Sequence, residues 1–241
     1  MAGGSVNISG LYDFGGEVGA VQVMLKGGAR SVRARWKGGV VHVTAPVGIG
    51  FDELRSILAS MMPRLAQAKP EPLYRIGQRI EMPGLEVEIG SQTRKPDFVI
   101  SSLRMPRGSI EVGAALDIEA PETVELISRM LCRMAASVAP RLLLPRAREV
   151  AEQVGARPSE WSISRGHRTL GHCDARGRIA LSYALVFYPQ ELRDYVVCHE
   201  LAHLSELNHS PRFHQICDRY CGGRERQLQA ALRAYKIPII R

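Results

Sequence analysis

Hydrophobic and polar positions divide the chain into a strand-rich first half and a helix-rich second half. Three early segments alternate or are β-branched, and Lys-Gly-Gly turns separate them: Val21 to Leu25, Ser31 to Trp36 and Val40 to Thr44. They predict an antiparallel meander. Phe51 to Ala68 has helical spacing, and Arg75 to Ile118 again predicts short strands broken by Pro and Gly.

From Pro121 the apolar spacing becomes helical. One stripe contains Val124, Ile127, Leu131 and Met134, and a second covers residues 142–154 before Gly155. Residues 161–165 and 178–182 predict strands of a small sheet, with residues 174–177 as a turn between them. The predicted fold class is therefore α+β. It has a flexible, Gly-rich amino terminus over residues 1–20, a β-rich domain over 21–120 and an α/β domain over 121–241.

The helix predicted after Pro189 contains the sequence His-Glu-Leu-Ala-His at positions 199–203, and His209 follows it. On a helix, His199 and His203 lie one turn apart on the same face, so both imidazoles can reach one metal ion. Glu200 lies where a carboxylate can take a proton from a metal-bound water. The helix is predicted to end at Asn208, after which His209 can fold back as a third ligand.

Several alternatives stay open at this site. The paired histidines could be buried core residues, and His209 could be an exposed loop residue. Asp218 and Glu225, on or after the next helix, compete with His209 as the third ligand, and Glu206 is a weaker candidate. His214 is expected to support the site or to lie on the surface. Ser210 and Pro211 predict the N-cap and first residue of another helix, which runs to Gly222.

These residues resemble a known family. The matching segments are 178–182, 188–189, 194–203 and 208–213, and they look like the YgjP-like metallopeptidases, relatives of the SprT-like and WLM zincins. The likeness is dense from Trp161 to Tyr220 and fainter around residues 39–65. It implies a zincin-like, minigluzincin-type catalytic domain that carries the HExxH helix. It also implies a Zn²⁺ cofactor held by His199, His203 and His209, with Glu200 as the general base.

One block departs from the family pattern. The family usually has Trp-Gly-Ser-Cys where this chain has Leu170-Gly171-His172-Cys173, so the change concerns substrate preference more than metal binding. His172 either helps to polarise a carbonyl or is an exposed hairpin residue, and the second alternative is favoured. Ile179, Ala180 and Leu181 are the candidate edge strand for an extended peptide, although an internal core strand is about as well supported.

Composition and charge favour a protein of the cytoplasm. No segment has the apolar length of a membrane span, and no export signal is expected at the amino terminus. The 5 cysteines are an odd number without a disulfide pattern, which indicates a reducing compartment. Net charge is +8, but the arginines are scattered, so a solvated basic surface is favoured over a nucleic-acid interface.

The sequence therefore predicts a zinc metallopeptidase that acts on peptide or protein substrates. A zinc-activated water attacks the scissile carbonyl, and Glu200 takes the water proton and delivers it to the leaving amine. Two other functions stay open. One is a zinc-binding protein without catalysis, a relic of a peptidase. The other is a nucleic-acid-associated protease of SprT-like type.

Overall fold

The computed structural model describes residues 9–13, 18–37 and 40–240. The chain divides into two compact units. One extends to Tyr74 and includes Asp117–Val124, and the other contains Arg75–Leu116 and Glu125 onward. The domain boundaries at residues 20 and 120 stay a prediction. Much of the segment predicted to be flexible, residues 1–8 and 14–17, lies outside the described residues, while Gly10–Asp13 forms a strand.

The first unit contains a four-stranded sheet and one helix. Its strands have the spatial order β1-β2-β4-β3, and its elements are β1 (Gly10–Asp13), β2 (Ala20–Lys26), β3 (Arg33–Lys37), β4 (Val40–Pro46) and α1 (Phe51–Gln67). The predicted strands and helix are confirmed, but the predicted meander is wrong, because β2 pairs in parallel with β4. The two strands with fully buried valines occupy the middle of the sheet. The more exposed β3 is left at the edge.

The second unit begins with a sheet of the same strand order, β5-β6-β8-β7, again with a parallel central pair. Its strands are β5 (Arg79–Met82), β6 (Leu85–Gln92), β7 (Val99–Arg104) and β8 (Arg107–Gly113). This confirms the prediction of short strands over residues 75–118. Val87, Ile89, Ile110 and Val112 alternate along the central pair and are buried, which is the period-2 pattern of a sheet with a covered face.

A long helix, α2, covers Pro121–Val154. Both predicted apolar stripes lie on it, and Val124, Ile127, Leu131 and Met134 are all buried. The helix ends before Gly155, whose φ of 71° is a conformation that glycine adopts without steric cost. The Ile240 amide donates a hydrogen bond of 2.9 Å to Ser128 Oγ on α2, which ties down the carboxy-terminal segment.

The third sheet has the order β10-β11-β9. Its strands are β9 (Glu160–Ser164), β10 (Gly171–Cys173) and β11 (Arg178–Ser182), and a 3-10 helix, Tyr183–Phe187, follows β11. The predicted turn at residues 174–177 is present, but it joins β11 to the unpredicted strand β10. The Gly177 amide donates to the Asp174 carbonyl at 2.9 Å. The φ of 73° at Gly177 explains why glycine stands there.

Three helices complete the described chain: α3 (Gln190–Ala202), α4 (Pro211–Tyr220) and α5 (Glu225–Ala234). The prediction that α3 reaches Asn208 is wrong, because the helix ends at Ala202. A turn follows, in which the Ser205 amide donates a hydrogen bond of 3.1 Å to the Ala202 carbonyl. Ser210 caps α4 as predicted. The α+β class is confirmed. Within the described ranges, no helix is both long and apolar enough to cross a membrane.

Candidate metal centre

The carboxy-terminal end of α3 carries the first three residues of the site. Leu192, Val196 and Leu201 bury the helix in the second unit, which fixes its orientation. His199 and Glu200 are in the last turn, and His203 is the C-cap residue. Because α3 ends there, the chain can turn back at once toward the face that carries the histidines.

His209 enters from the loop that follows. Ser210 accepts a hydrogen bond from the Phe213 amide at 3.3 Å and so fixes the start of α4. Phe213 is 0% exposed, and its ring centroid lies 4.8, 4.5 and 4.7 Å from the imidazole centroids of His199, His203 and His209. A single buried aromatic ring therefore packs against all three histidines. We call these three residues the histidine cluster.

The ring nitrogens of the histidine cluster converge. One ligand atom from each residue lies within 4.8 Å of the other two, and the Nε2 atoms of His199 and His209 are 3.1 Å apart. His203 Nδ1 is 3.0 Å from the Glu206 carbonyl oxygen. A carbonyl can only accept, so Nδ1 carries the proton and Nε2 keeps its lone pair.

Such a donor set fits zinc. Three imidazole nitrogens are a known ligand set for a catalytic zinc ion, and tetrahedral Zn–N bonds separate such nitrogens by roughly 3.4 Å. Two imidazole lone pairs at 3.1 Å would repel one another unless a proton or a cation lies between them. Among the described residues, the histidine cluster is the group of His, Cys, Asp or Glu side chains whose ligand atoms lie close enough together to hold a metal ion.

Two of the competing acidic ligands, Glu225 and Asp218, have their carboxylates engaged elsewhere. His214 Nδ1 donates to the buried Glu225 carboxylate at 2.7 Å. Asp218 Oδ1 accepts from the Glu225 amide at 3.0 Å, and Glu206 contributes its backbone carbonyl to His203. None of these carboxylates belongs to the group of converging ligand atoms found among the described residues.

Glu200 is buried and directly follows His199 on α3. Its side chain is 5% exposed, and this burial raises the pKa of its carboxyl group to about 7. Burial, followed by the charges of the other histidines, lowers the pKa of His199 to about 4. Burial also lowers the pKa of His203. Both histidines are therefore neutral near pH 7, which is the form that binds a metal.

Gly171 on β10 lies against Glu200, a contact that the sequence reasoning missed. A Cβ atom added there would lie 2.5 Å from Glu200 Cγ and 2.7 Å from its Cδ. Only glycine allows β10 to pass this close to the carboxylate. A glycine inside a strand often marks such an approach, but in the sequence nothing connects it with Glu200.

The predicted role of β11 needs a correction. Ile179, Ala180 and Leu181 pair with β10 on one side and with β9 on the other. The strand has no free edge, so the prediction that it holds a peptide along an open edge is wrong, and the internal-strand alternative holds. The sheet edge beside Glu200 belongs to β10. His172 on that strand is exposed, and its role stays a prediction.

The fold and the histidine cluster define a mixed α+β protein with three converging imidazoles that could bind a metal ion. The family model described as "YgjP-like, metallopeptidase domain" matches residues 30–235. The chain therefore belongs to the YgjP-like metallopeptidase family, which confirms the resemblance seen in the sequence. Comparisons with curated proteins and with solved structures found no match.

Proposed function

We propose that this protein is a zinc-dependent metallopeptidase with a zincin-like catalytic domain. The observation that carries the proposal is a buried carboxylate, Glu200, on the same helix end as His199 and His203, two of the three converging imidazoles. A structural metal site has no need of an adjacent buried acid, whereas hydrolysis needs a group that moves a proton. Membership of a metallopeptidase family supports the same conclusion.

Each residue has a distinct task in this proposal. His199, His203 and His209 hold the zinc ion, and the Glu206 carbonyl fixes the tautomer of His203. Bound zinc would supply an acidified water and polarise a substrate carbonyl. The Glu200 carboxylate takes one proton from the attacking water and returns it to the leaving amine. A pKa raised by burial suits a group that both accepts and releases that proton.

The substrate is proposed to be an extended peptide that pairs with the free edge of β10. Main-chain hydrogen bonds along an edge strand hold a peptide without regard to its side chains. Gly171 keeps the edge close to Glu200, so a peptide on this edge would bring its scissile carbonyl to the catalytic carboxylate. The five free thiols support a reducing compartment such as the cytoplasm.

Metal content and peptide cleavage, measured together, test the proposal. The wild-type chain should hold about one zinc ion and cleave an unfolded protein such as reduced casein. Glu200→Gln should keep the zinc and lose cleavage, because the amide cannot accept the proton. His209→Ala should lose zinc, whereas Glu225→Ala should keep it.

Two outcomes contradict the proposal. Zinc retained by the wild-type chain without cleavage of any unfolded protein favours the non-catalytic alternative. Full activity in Glu200→Gln would show that Glu200 is not the group that carries the proton. Cleavage that appears only when DNA is added would instead favour the nucleic-acid-associated alternative.

A further inference from the structure

A cavity of about 610 Å³ opens beside Gly171, at the loop that connects β9 to β10. Its lining comes from residues 164–169 together with Gly171 and His172. A Cβ added at Gly171 would meet the Glu200 carboxylate, so this glycine is shared by the cavity lining and the surroundings of Glu200. A substrate held at the proposed reaction centre would therefore place a neighbouring side chain, or its own chain terminus, within reach of the cavity.

The charged side chains that line this cavity are all basic. Arg165 and Arg168 line it, His167 and His172 add two imidazoles, and its lining includes no carboxylate. Both arginines are exposed. Across the ranges that the structure describes, the arginine ion pairs involve other arginines, such as Arg146, Arg178 and Arg224. The guanidinium groups of Arg165 and Arg168 are thus available to a ligand.

The cavity wall is held in place by the strand and helix behind it. Ser182 N–H donates to the Leu170 carbonyl at 2.8 Å, and Ser182 Oγ donates to the Gly166 carbonyl. Tyr183 Oη lies 3.3 Å from His167 Nδ1. Ser182 and Tyr183 are both buried. A loop fixed at both ends loses little conformational entropy when a ligand binds.

We propose that this cavity binds a carboxylate of the peptide substrate next to the scissile bond. The carboxylate is an Asp or Glu side chain or the free carboxy terminus of the peptide. Guanidinium groups bind carboxylates through charge-assisted, often bidentate hydrogen bonds. This specificity rests on the proposed peptidase function, because it concerns a substrate of that same site.

Peptide binding to the Glu200→Gln chain tests the specificity without any dependence on cleavage. The probe is a rhodamine-labelled decapeptide of Ala and Ser with one central Glu and an amidated terminus, and its partner has Gln instead. A second pair has no acidic side chain and differs only in a free or amidated carboxy terminus. Fluorescence anisotropy gives the Kd of each peptide.

In one of the two pairs, the peptide that carries the carboxylate should bind about tenfold more tightly than its neutral partner. The pair that shows the difference identifies the source of the carboxylate. Adding Arg165→Gln and Arg168→Gln should abolish that advantage. Adding Arg157→Gln and Arg226→Gln, which removes the same charge at two other exposed arginines, should preserve it.

Equal Kd values within both pairs would overturn the proposal. So would an advantage that survives the Arg165→Gln and Arg168→Gln substitutions, or one that both double variants reduce equally, because net charge alone would then explain it. Failure of the peptidase function has a separate signature. In that case the binding preference persists while the zinc-loaded wild-type chain leaves the same peptides intact.

Discussion

The two segments that meet at Glu200 are built in opposite ways. The histidine cluster comes from one helix end and the loop after it, so residues 199–209 determine most of its geometry among themselves. The facing segment, residues 164–173, is held by bonds from residues 179–183 on a neighbouring strand and 3-10 helix. Local backbone geometry organises the first segment, and strand pairing organises the second.

This difference separates two kinds of function. A metal site must keep its ligands at fixed distances, and a helix turn provides that spacing directly. A substrate site must instead fit a partner of variable sequence, and a loop mounted on a sheet can change without moving the ligands. Substitutions in the first segment should therefore alter metal affinity, whereas substitutions in the second should alter activity and specificity with the metal retained.

The largest effect is expected from His203→Ala. This change removes one imidazole of the histidine cluster, together with the bond from its Nδ1 to the Glu206 carbonyl. Zinc affinity should fall by more than about a hundredfold, as a competition titration with a chelator would measure. His214→Ala is the control, because His214 bonds to Glu225 outside the cluster. An equal loss in both variants would show that the cluster does not hold the metal.

Gly171→Ala should have the next largest effect. The new methyl group would lie 2.5 Å from Glu200 Cγ, so β10 or the carboxylate must move. Peptide hydrolysis should fall about a hundredfold with zinc content unchanged, since a shift of about 1 Å at a catalytic group can cost that much. Gly90→Ala, at a glycine inside β6, is a matched control, because a Cβ at Gly90 meets nothing within 4 Å. Unchanged kcat/KM in Gly171→Ala would contradict the assigned contact.

Sequence reasoning was most successful where contacts are local. The HExxH spacing indicated His199 and His203 because one helix turn brings them together, and Ser210-Pro211 indicated the start of α4. The end of α3 was misplaced, because the helix ends in a turn in which the Ser205 amide donates to the Ala202 carbonyl, and not at a left-handed Asn208. Among the described residues, no residue other than glycine has a positive φ.

The order of the strands in each sheet could not be predicted from the pattern of hydrophobic and polar residues. Alternation predicts that a segment is a strand, but it carries no information about its neighbour. For this reason β2 was expected beside β3, and the edge and internal positions of β11 were left about equally supported. The short strand β10 has too few residues to show a period, so the contact between Gly171 and Glu200 could not be deduced from the sequence.

Phe213→Leu should have a smaller effect, on both the free energy of unfolding and zinc affinity. The ring is fully buried and lies against all three imidazoles. Its loss should lower the free energy of unfolding by about 1–2 kcal/mol and should lower zinc affinity several-fold. The space that the smaller side chain leaves empty lets the histidines move. Phe187→Leu, in the buried 3-10 helix, should cost similar stability and leave zinc affinity unchanged. Equal zinc affinity in both variants would show that Phe213 does not position the ligands.

Ser182→Ala should have the smallest effect and should be confined to the second segment. The hydroxyl donates to the Gly166 carbonyl and accepts from the Ala184 amide at 3.1 Å, so its loss should destabilise the fold by about 1 kcal/mol. Thermal unfolding of the zinc-free chain measures this cost. Zinc affinity should stay constant, while the preference for a carboxylate-bearing peptide should weaken two- to threefold, because the loop that carries Arg165 and Arg168 loses one of the three bonds that hold it. A fall in zinc affinity would show that the segments are coupled through Glu200, so that binding and specificity are not built separately.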